Sequence, residues 1–472
     1  MVEKWLVLKF GGTSVAGRQQ WEAIASIVAA RRSVGYRVLL VCSALSGVTN
    51  LLSDLAGRPD SETSLAEILD VHRLLAEKLE INIDSCLSEA EQHMRQCLKN
   101  IVRKSGPEWV AALLSTGEWL SSHIGAQFLQ QGLDVDWVDA RDALEVLHEP
   151  DLSPARRWLS ATCEPGRDDS LAERWKGLSP VLITQGYVGR TRRGTTVLLG
   201  RGGSDTSAAL LAGRLGAEEL EIWTDVPGLF SADPRLIPQA RLIREVDYAE
   251  ALEMAASGAR VVQSRCIRAA MATDTVIVIR DLNRRQTEGT RISSRESTII
   301  GVKTISCQHD MAVILLQNLD VRHEVGFLAQ VFEIFRQRGI SVDLVATSET
   351  TTTVAINREA NHLGPDELSG LVNDLEERCT VRLYDDCVCV NLVGHGVRTS
   401  LSRLHSTMTH FEQRSLLMLS QSANDLCLSI LVNAGDQNPL LRSAHDALIP
   451  VGNAETGSLF GDSWQQIWAT DE

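Results

Sequence analysis

Short continuous apolar runs alternate with amphipathic stretches through the first half of the chain and beyond it. Run 5–10 (WLVLKF) is apolar apart from Lys9, the pattern of a strand buried on both faces. A GGTS turn at 11–14 leads into a helix to about residue 31, with Trp21, Ile24, Ile27 and Val28 at helical spacing. Run 37–42 (RVLLVC) predicts a second strand, and SALSGVTN at 43–50 a turn into a helix. Residues 51–112 read as mostly helical, with breaks near Pro59 and Pro107. LLSTGEWL at 113–120 opens a helix that ends near Gly132; a strand covers 134–138, and 139–177 reads as an irregular surface excursion. Further strands are expected at 181–185, 196–200, 219–224 and 276–279, with helices at 207–215, 247–257 and 259–270. Repeated strand–loop–helix units predict an open, mostly parallel α/β sheet with helices on both faces.

The pattern changes after residue 298. Strands at 311–316, 342–348, 351–356 and 381–384, with helices at 326–338 and 365–379, fall in the order βαββαβ, a ferredoxin-like unit. A second such unit begins with a strand at 387–393, a helix at 401–413, strands at 416–421 and 426–432, and a helix at 439–447. It lacks its last strand. Stretch 297–303 is the candidate donor, which would interleave the two small units. The expected domains are thus 1–298, 304–386 and 387–460, followed by a tail, 461–472. The polar stretch 451–472 closes no visible element, and a continuation into another domain stays open.

Composition narrows the partners. A net charge of −15 over 472 residues argues against a nucleic-acid or anionic-membrane surface. No apolar run is long enough to span a bilayer, and the first ten residues do not read as a signal peptide. The ten cysteines are scattered without CxxC or Cys/His ligand spacing, which predicts reduced thiols in a cytoplasmic protein.

No GxxxxGK[ST] and no eukaryotic-type kinase signature set is present. The strongest candidate stretch is LGRGGSDTSAA at 199–209. Gly200, Gly202 and Gly203 let backbone amides approach an anion, and Arg201 can grip a carboxylate or phosphate bidentately. Asp205 is placed to cap the helix that follows. A tight βα turn with a capped helix would share these features. Lys9 closes an apolar strand beside Gly11, Gly12 and Ser14, an ammonium next to exposed amides that suits a transferring phosphoryl group. A solvated strand-end lysine is the competing reading. Glu118 reads either as a capping-box carboxylate or as a functional one. Asp225, before Pro227, reads either as a turn residue or as a functional one. The positive and glycine-rich features cluster at the predicted C-terminal ends of parallel strands, where open α/β sheets bind ligands.

These segments carry a resemblance. KFGGTS at 9–14, 43–50, Gly117-Glu118, TQGY at 184–187, GRGGSD at 200–205, WTDVPG at 223–228 and DPR at 233–235 resemble, in order, the aspartate kinase family of the amino-acid kinase fold. The two small units are similar to that family's paired ACT regulatory units. The resemblance implies transfer of the ATP γ-phosphoryl group, with Mg²⁺, to the side-chain carboxylate of L-aspartate. It implies Lys9 and Asp205 as catalytic groups, with Thr49, Glu118, Tyr187, Arg201 and Ser204 on the amino acid. It implies Lys9, Gly11, Gly12, Ser14, Gly202, Gly203, Thr224, Asp225, Phe230, Arg235 and Arg260 on the nucleotide, and no protein ligand set for a metal. At 258–264 the chain reads GARVVQS where the family has Gly-Ala-Lys and a Val-Leu-His-Pro type run, so Arg260 replaces a point charge by a broad fork. Gly326, Phe327, Leu328, Val342, Asp343, Ser348 and Glu349 match the effector region of lysine-sensitive members. L-lysine is the first expected effector and L-threonine the second, with a homodimer or larger assembly formed through the ACT units. Two other readings stay open: a kinase acting on glutamate, acetylglutamate or a nucleotide, and an amino-acid-binding regulator whose kinase half is dead.

Overall fold

The computed structural model describes residues 4–258, 261–295, 300–317, 325–400, 403, 415–435, 437–449 and 459–469. The chain forms two compact units. The first holds 1–229, 244–252 and 260–296; the second holds 230–243, 253–259 and 297–472. The boundary is therefore not the single cut near residue 298 that composition suggests, because two short segments of the earlier chain pack with the later one.

In chain order the strands are β1 (Lys4–Phe10), β2 (Tyr36–Cys42), β3 (Val135–Trp137), β4 (Val181–Gln185), β5 (Val188–Arg190), β6 (Thr196–Leu198) and β7 (Glu219–Thr224). Then come β8 (Arg241–Ile243), of the second unit, and β9 (Glu245–Asp247), β10 (Val276–Asp281) and β11 (Thr290–Ser293). The main sheet has the order β3-β4-β2-β1-β7-β10-β11-β9. It is parallel from β3 to β10, and β11 reverses against β10. β1 is central, and Leu6, Val7, Leu8 and Phe10 are sealed from solvent, as a strand covered on both faces requires. The expected strand at 196–200 does not join this sheet; it pairs with β5 as a separate hairpin. The 139–177 stretch is better packed than its composition suggests: it contains helices Pro154–Leu159 and Asp169–Lys176 and buries Cys163, Leu171 and Trp175.

Strand order turns around at β1: the chain goes first to β2 on one side and later to β7 on the other. This switch places the ends of β1, β2, β4 and β7 around one crevice. A buried ion cluster fixes the β7 side. Glu221, 2% exposed, accepts from Trp223 Nε1 at 2.9 Å, pairs with Arg31 at 2.7 Å and lies 3.6 Å from Arg280. The indole stacks on Phe10, and Gly11 N–H reaches Trp223 C=O at 3.4 Å.

The second unit is built on one six-stranded sheet: β12 (Thr304–Gln317), β13 (Leu344–Thr347), β14 (Thr351–Asn357), β15 (Thr380–Val393), β16 (Leu416–Gln421) and β17 (Cys427–Asn433), in the order β13-β14-β12-β15-β17-β16. β12 and β15 run through both small units. The first half of β12, from Thr304 to Gln308, pairs with Val393 to Cys389; its second half pairs with β14 and with the first half of β15. A donated strand therefore completes the second unit, but it lies just downstream of 297–303, with Lys303 N–H donating to Val393 C=O at its start. Helices Phe327–Gln337 and Pro365–Glu376 bury Val331, Phe335, Leu371 and Leu375 against Ile314 and Ile356. The helix expected at 401–413 lies outside the described residues except for Arg403, as do 297–299. The tail closes more than its sequence suggests: β18 (Phe460–Ser463) pairs with β8, and helix Trp464–Ala469 follows.

Candidate active site

The GRGGSD turn sets the site. Gly200 and Gly202 have φ of +77° and +66°, left-handed values that disfavour other residues. Gly202 caps helix Gly203–Leu215 and Asp205 sits in its first turn, so the helix starts four residues earlier than expected. Asp205 does not cap the helix. Its Oδ1 meets Lys9 Nζ at 2.5 Å, and the two residues are only 9% and 8% exposed. This pair crosses from the end of β1 to the first turn of the helix and holds the ammonium beside Gly11. Gly12 has no room for a side chain: a Cβ there would lie 2.7 Å from Ala44 O. Ser14 is buried in the short 3₁₀ turn Gly12–Val15.

Glu118 occupies the first turn of helix Thr116–Leu129, which carries no side-chain cap. It is 3% exposed, and among the described residues its Oε2 has no hydrogen-bond partner. Burial pushes its carboxyl up to about 8, against the pull of the Glu118 and Ala44 backbone amides. The loop after β2 packs on the same helix, since a Cβ on Gly117 would meet Ala44 Cβ at 2.9 Å and Val48 at 3.2 Å. Half-buried Thr49 follows Val48 on that loop's helix, Val48–Gly57.

Tyr187 links the two halves. Its φ is +73°, in the left-handed region. A Cβ on Gly203 would fall 2.4 Å from Tyr187 Cδ2, and one on Gly186 within 3.0 Å of Ser204 Cα. Burial raises the phenol to about 12, and the charge of Glu118 adds to the shift. Arg201 is exposed and forms no ion pair or side-chain hydrogen bond among the described residues. At the end of β7, Thr224 Oγ1 donates to exposed Asp225 at 3.1 Å.

The structure thus brings Lys9, Gly11, Gly12, Ser14, Glu118, Tyr187, Arg201 to Asp205, and the Thr224–Asp225 strand end to the sheet's C-terminal edge. Phe230 and Arg235 belong to the second unit, where Phe230 meets Trp464 edge-on at 5.4 Å and Arg235 pairs with Asp233. Arg260 lies outside the described residues. In the effector region, Gly326 (φ +96°) caps the helix that buries Phe327, while Leu328 is 40% exposed. Val342 is half-buried, Asp343 accepts from Asn357 N–H at 2.7 Å, and Ser348 closes the β13–β14 hairpin onto Thr351, leaving Glu349 exposed in that turn. Sequence reasoning gave no role to Ser207, which accepts from Tyr187 N–H, or to Gln185 of the TQGY segment, which is bound to Asp139. A small residue in an apolar helix and an amide at a strand end carry no pattern of their own.

A family model described as "Amino acid kinase family" matches residues 4–281. The chain belongs to the amino acid kinase family. This amino acid kinase is 28% identical over 461 residues to lysine-sensitive aspartokinase 3 of Escherichia coli strain K12, across 94% of its own length and 99% of the relative's. It is 28% identical over 467 residues to the chloroplastic aspartokinase 1 of Arabidopsis thaliana, across 95% and 80%. Its structure is similar to that of E. coli aspartokinase III in complex with aspartate and ADP (R-state), with a TM-score of 0.77, 28% identity and coverage of 95% and 100%. The same protein in complex with lysine and aspartate (T-state) gives 0.77, 27%, 94% and 99%.

Proposed function

We propose that this amino acid kinase is an aspartate kinase, transferring the ATP γ-phosphoryl group to the β-carboxylate of L-aspartate to give 4-phospho-L-aspartate. The observation that carries the reading is a pair of groups left without side-chain partners among the described residues: the exposed guanidinium of Arg201 and the buried carboxyl of Glu118, whose Oε2 is unpartnered and which a bound ammonium would ionise. They suit the α-carboxylate and the ammonium of one amino acid. Thr49, Tyr187 and Ser204 line the same ligand.

The acceptor carboxylate is ionised at neutral pH, so no general base is needed. The chemical problem is repulsion between two anions. Lys9 offsets the charge of the transferring group, Asp205 fixes the ammonium, and amides at Gly11, Gly12, Ser14, Gly202 and Gly203 face the phosphates. Thr224 and Asp225 stand on the nucleotide side. The nucleotide roles of Phe230, Arg235 and Arg260 rest on the resemblance alone. Among the described residues, no three ligating side chains converge at the glycine turns. Mg²⁺ is proposed to enter with the nucleotide, and Asp205, beside Lys9, would hold its waters. When bound, the ion supplies further neutralisation of the phosphates.

L-Lysine is the proposed feedback effector, at Gly326 to Leu328, Val342, Asp343, Ser348 and Glu349, with L-threonine second and a homodimer or larger assembly in the cytoplasm. The similarity to a lysine-sensitive aspartokinase supports the choice of lysine. The test is coupled ADP release by the purified chain with L-aspartate, L-glutamate and N-acetylglutamate, each with and without L-lysine. Turnover with L-aspartate alone is expected, and it should fall on adding lysine. Preference for another acceptor would overturn the assignment. Lys9→Ala should abolish turnover and leave lysine binding intact.

A further inference from the structure

We infer that Ser207 is a positioning residue for the amino-acid substrate, acting through the backbone of Tyr187. The inference rests on the aspartate kinase reading of the same site. Ser207 lies one turn into the helix that begins at Gly203 and is sealed from solvent, so it touches no substrate itself. Its Oγ accepts the Tyr187 N–H at 3.1 Å and donates to the Ser204 C=O at 3.0 Å. One hydroxyl therefore joins the backbone of Tyr187 to that of Ser204, the residue following Gly203.

Tyr187 needs such a tie. A tyrosine at φ +73° is held in a region that costs on the order of 1–2 kcal/mol for an L-residue, and it persists only where its surroundings over-determine it. Three constraints do so. Tyr187 C=O accepts Leu199 N–H at 2.9 Å, the ring lies where a Gly203 side chain would be, and Ser207 takes the N–H. Gly186 N–H is held by Cys42 C=O at 2.8 Å and Val188 pairs with Leu198, so the flanking residues are fixed as well. The third constraint fixes the amide of the peptide between Gly186 and Tyr187, and with it the backbone that sets the ring against Gly203. Nothing in the site assigns Ser207 to substrate or nucleotide. Thr206, its neighbour, spends its hydroxyl on Gly202 C=O and cannot replace it.

The test is a double-mutant cycle. Ser207→Ala should raise KM for L-aspartate about tenfold, the equivalent of one hydrogen bond, with KM for ATP unchanged within about twofold. Ser207→Thr, which keeps the hydroxyl, should restore most of the loss. In a Tyr187→Gly background, where φ +73° is relaxed, Ser207→Ala should add no further effect. The proposal fails if Ser207→Ala leaves KM for aspartate unchanged, raises both KM values alike, or acts equally in both backgrounds. If the wild-type chain does not phosphorylate L-aspartate, the functional reading fails first. The same cycle read by urea unfolding then decides the Ser207–Tyr187 coupling, and independent effects on stability would overturn it.

Discussion

Replacing Glu118 by Gln should make the ligand-free protein more resistant to rising pH while disabling it as an enzyme. Glu118 is buried in the first turn of its helix with no cation paired to it among the described residues, and its carboxyl is raised from an ordinary value of 4.5 to about 8. In the unfolded chain the group ionises near 4.5; in the folded chain it keeps its proton. Between these values the unfolded state binds fewer protons, so stability falls as pH rises and levels off above about 8. One pH unit in this window costs about 1.4 kcal/mol, so roughly 3 kcal/mol is lost between pH 4.5 and 7. The amide does not titrate. It brings its own cost for an unpaired donor, about 1–3 kcal/mol, but that cost is independent of pH. The diagnostic is therefore the difference between the two proteins across pH. In urea unfolding without ligand, at pH 5, 6, 7 and 8, the curves should diverge by about 1 kcal/mol per unit in favour of Glu118→Gln. Parallel curves would refute the buried, proton-holding carboxyl. In the same series, saturating L-aspartate should stabilise the wild type and leave the variant nearly unmoved, because the ammonium favours the ionised acid.

Two further substitutions test the frame. Gly203→Ala would push a methyl to 2.4 Å from Tyr187 Cδ2, so KM for aspartate should rise and stability should fall by about 1–3 kcal/mol; normal kinetics would show that Tyr187 moves freely. Glu221→Ala strips the shared anion from Arg31 and Arg280, each about a quarter exposed, and should cost about 3 kcal/mol, at the low end for a buried pair. A loss under about 0.5 kcal/mol by urea unfolding would mean that solvent already serves both arginines.

The parts of this fold that the sequence revealed were those with uninterrupted apolar runs. β1, β2, β4 and β7 are buried on both faces and announce themselves in that way. β9 and β11 are three and four residues long, too short for any periodicity to register. β6 looked like a sheet strand because its Val197 and Leu198 are buried, but burial alone does not say which neighbour it pairs with. At the site, residue types were legible and their partners were not. Asp205 sits where a cap belongs, and only the approach of β1 reveals that its carboxylate goes to Lys9. The left-handed backbone of Tyr187 had no signal at all, since position 187 carries neither Gly nor Asn.

The two long strands β12 and β15 have a consequence for how the second unit can be cut, moved or inherited. Each contributes one half to one βαββαβ unit and the other half to its neighbour. A fragment ending near residue 386 would keep the first half of β12 but lose its partner in β15, leaving a bare hydrogen-bonding edge. The pair therefore behaves as a single folding cassette: neither half can be transplanted as a sensor or dropped by truncation without unravelling the other.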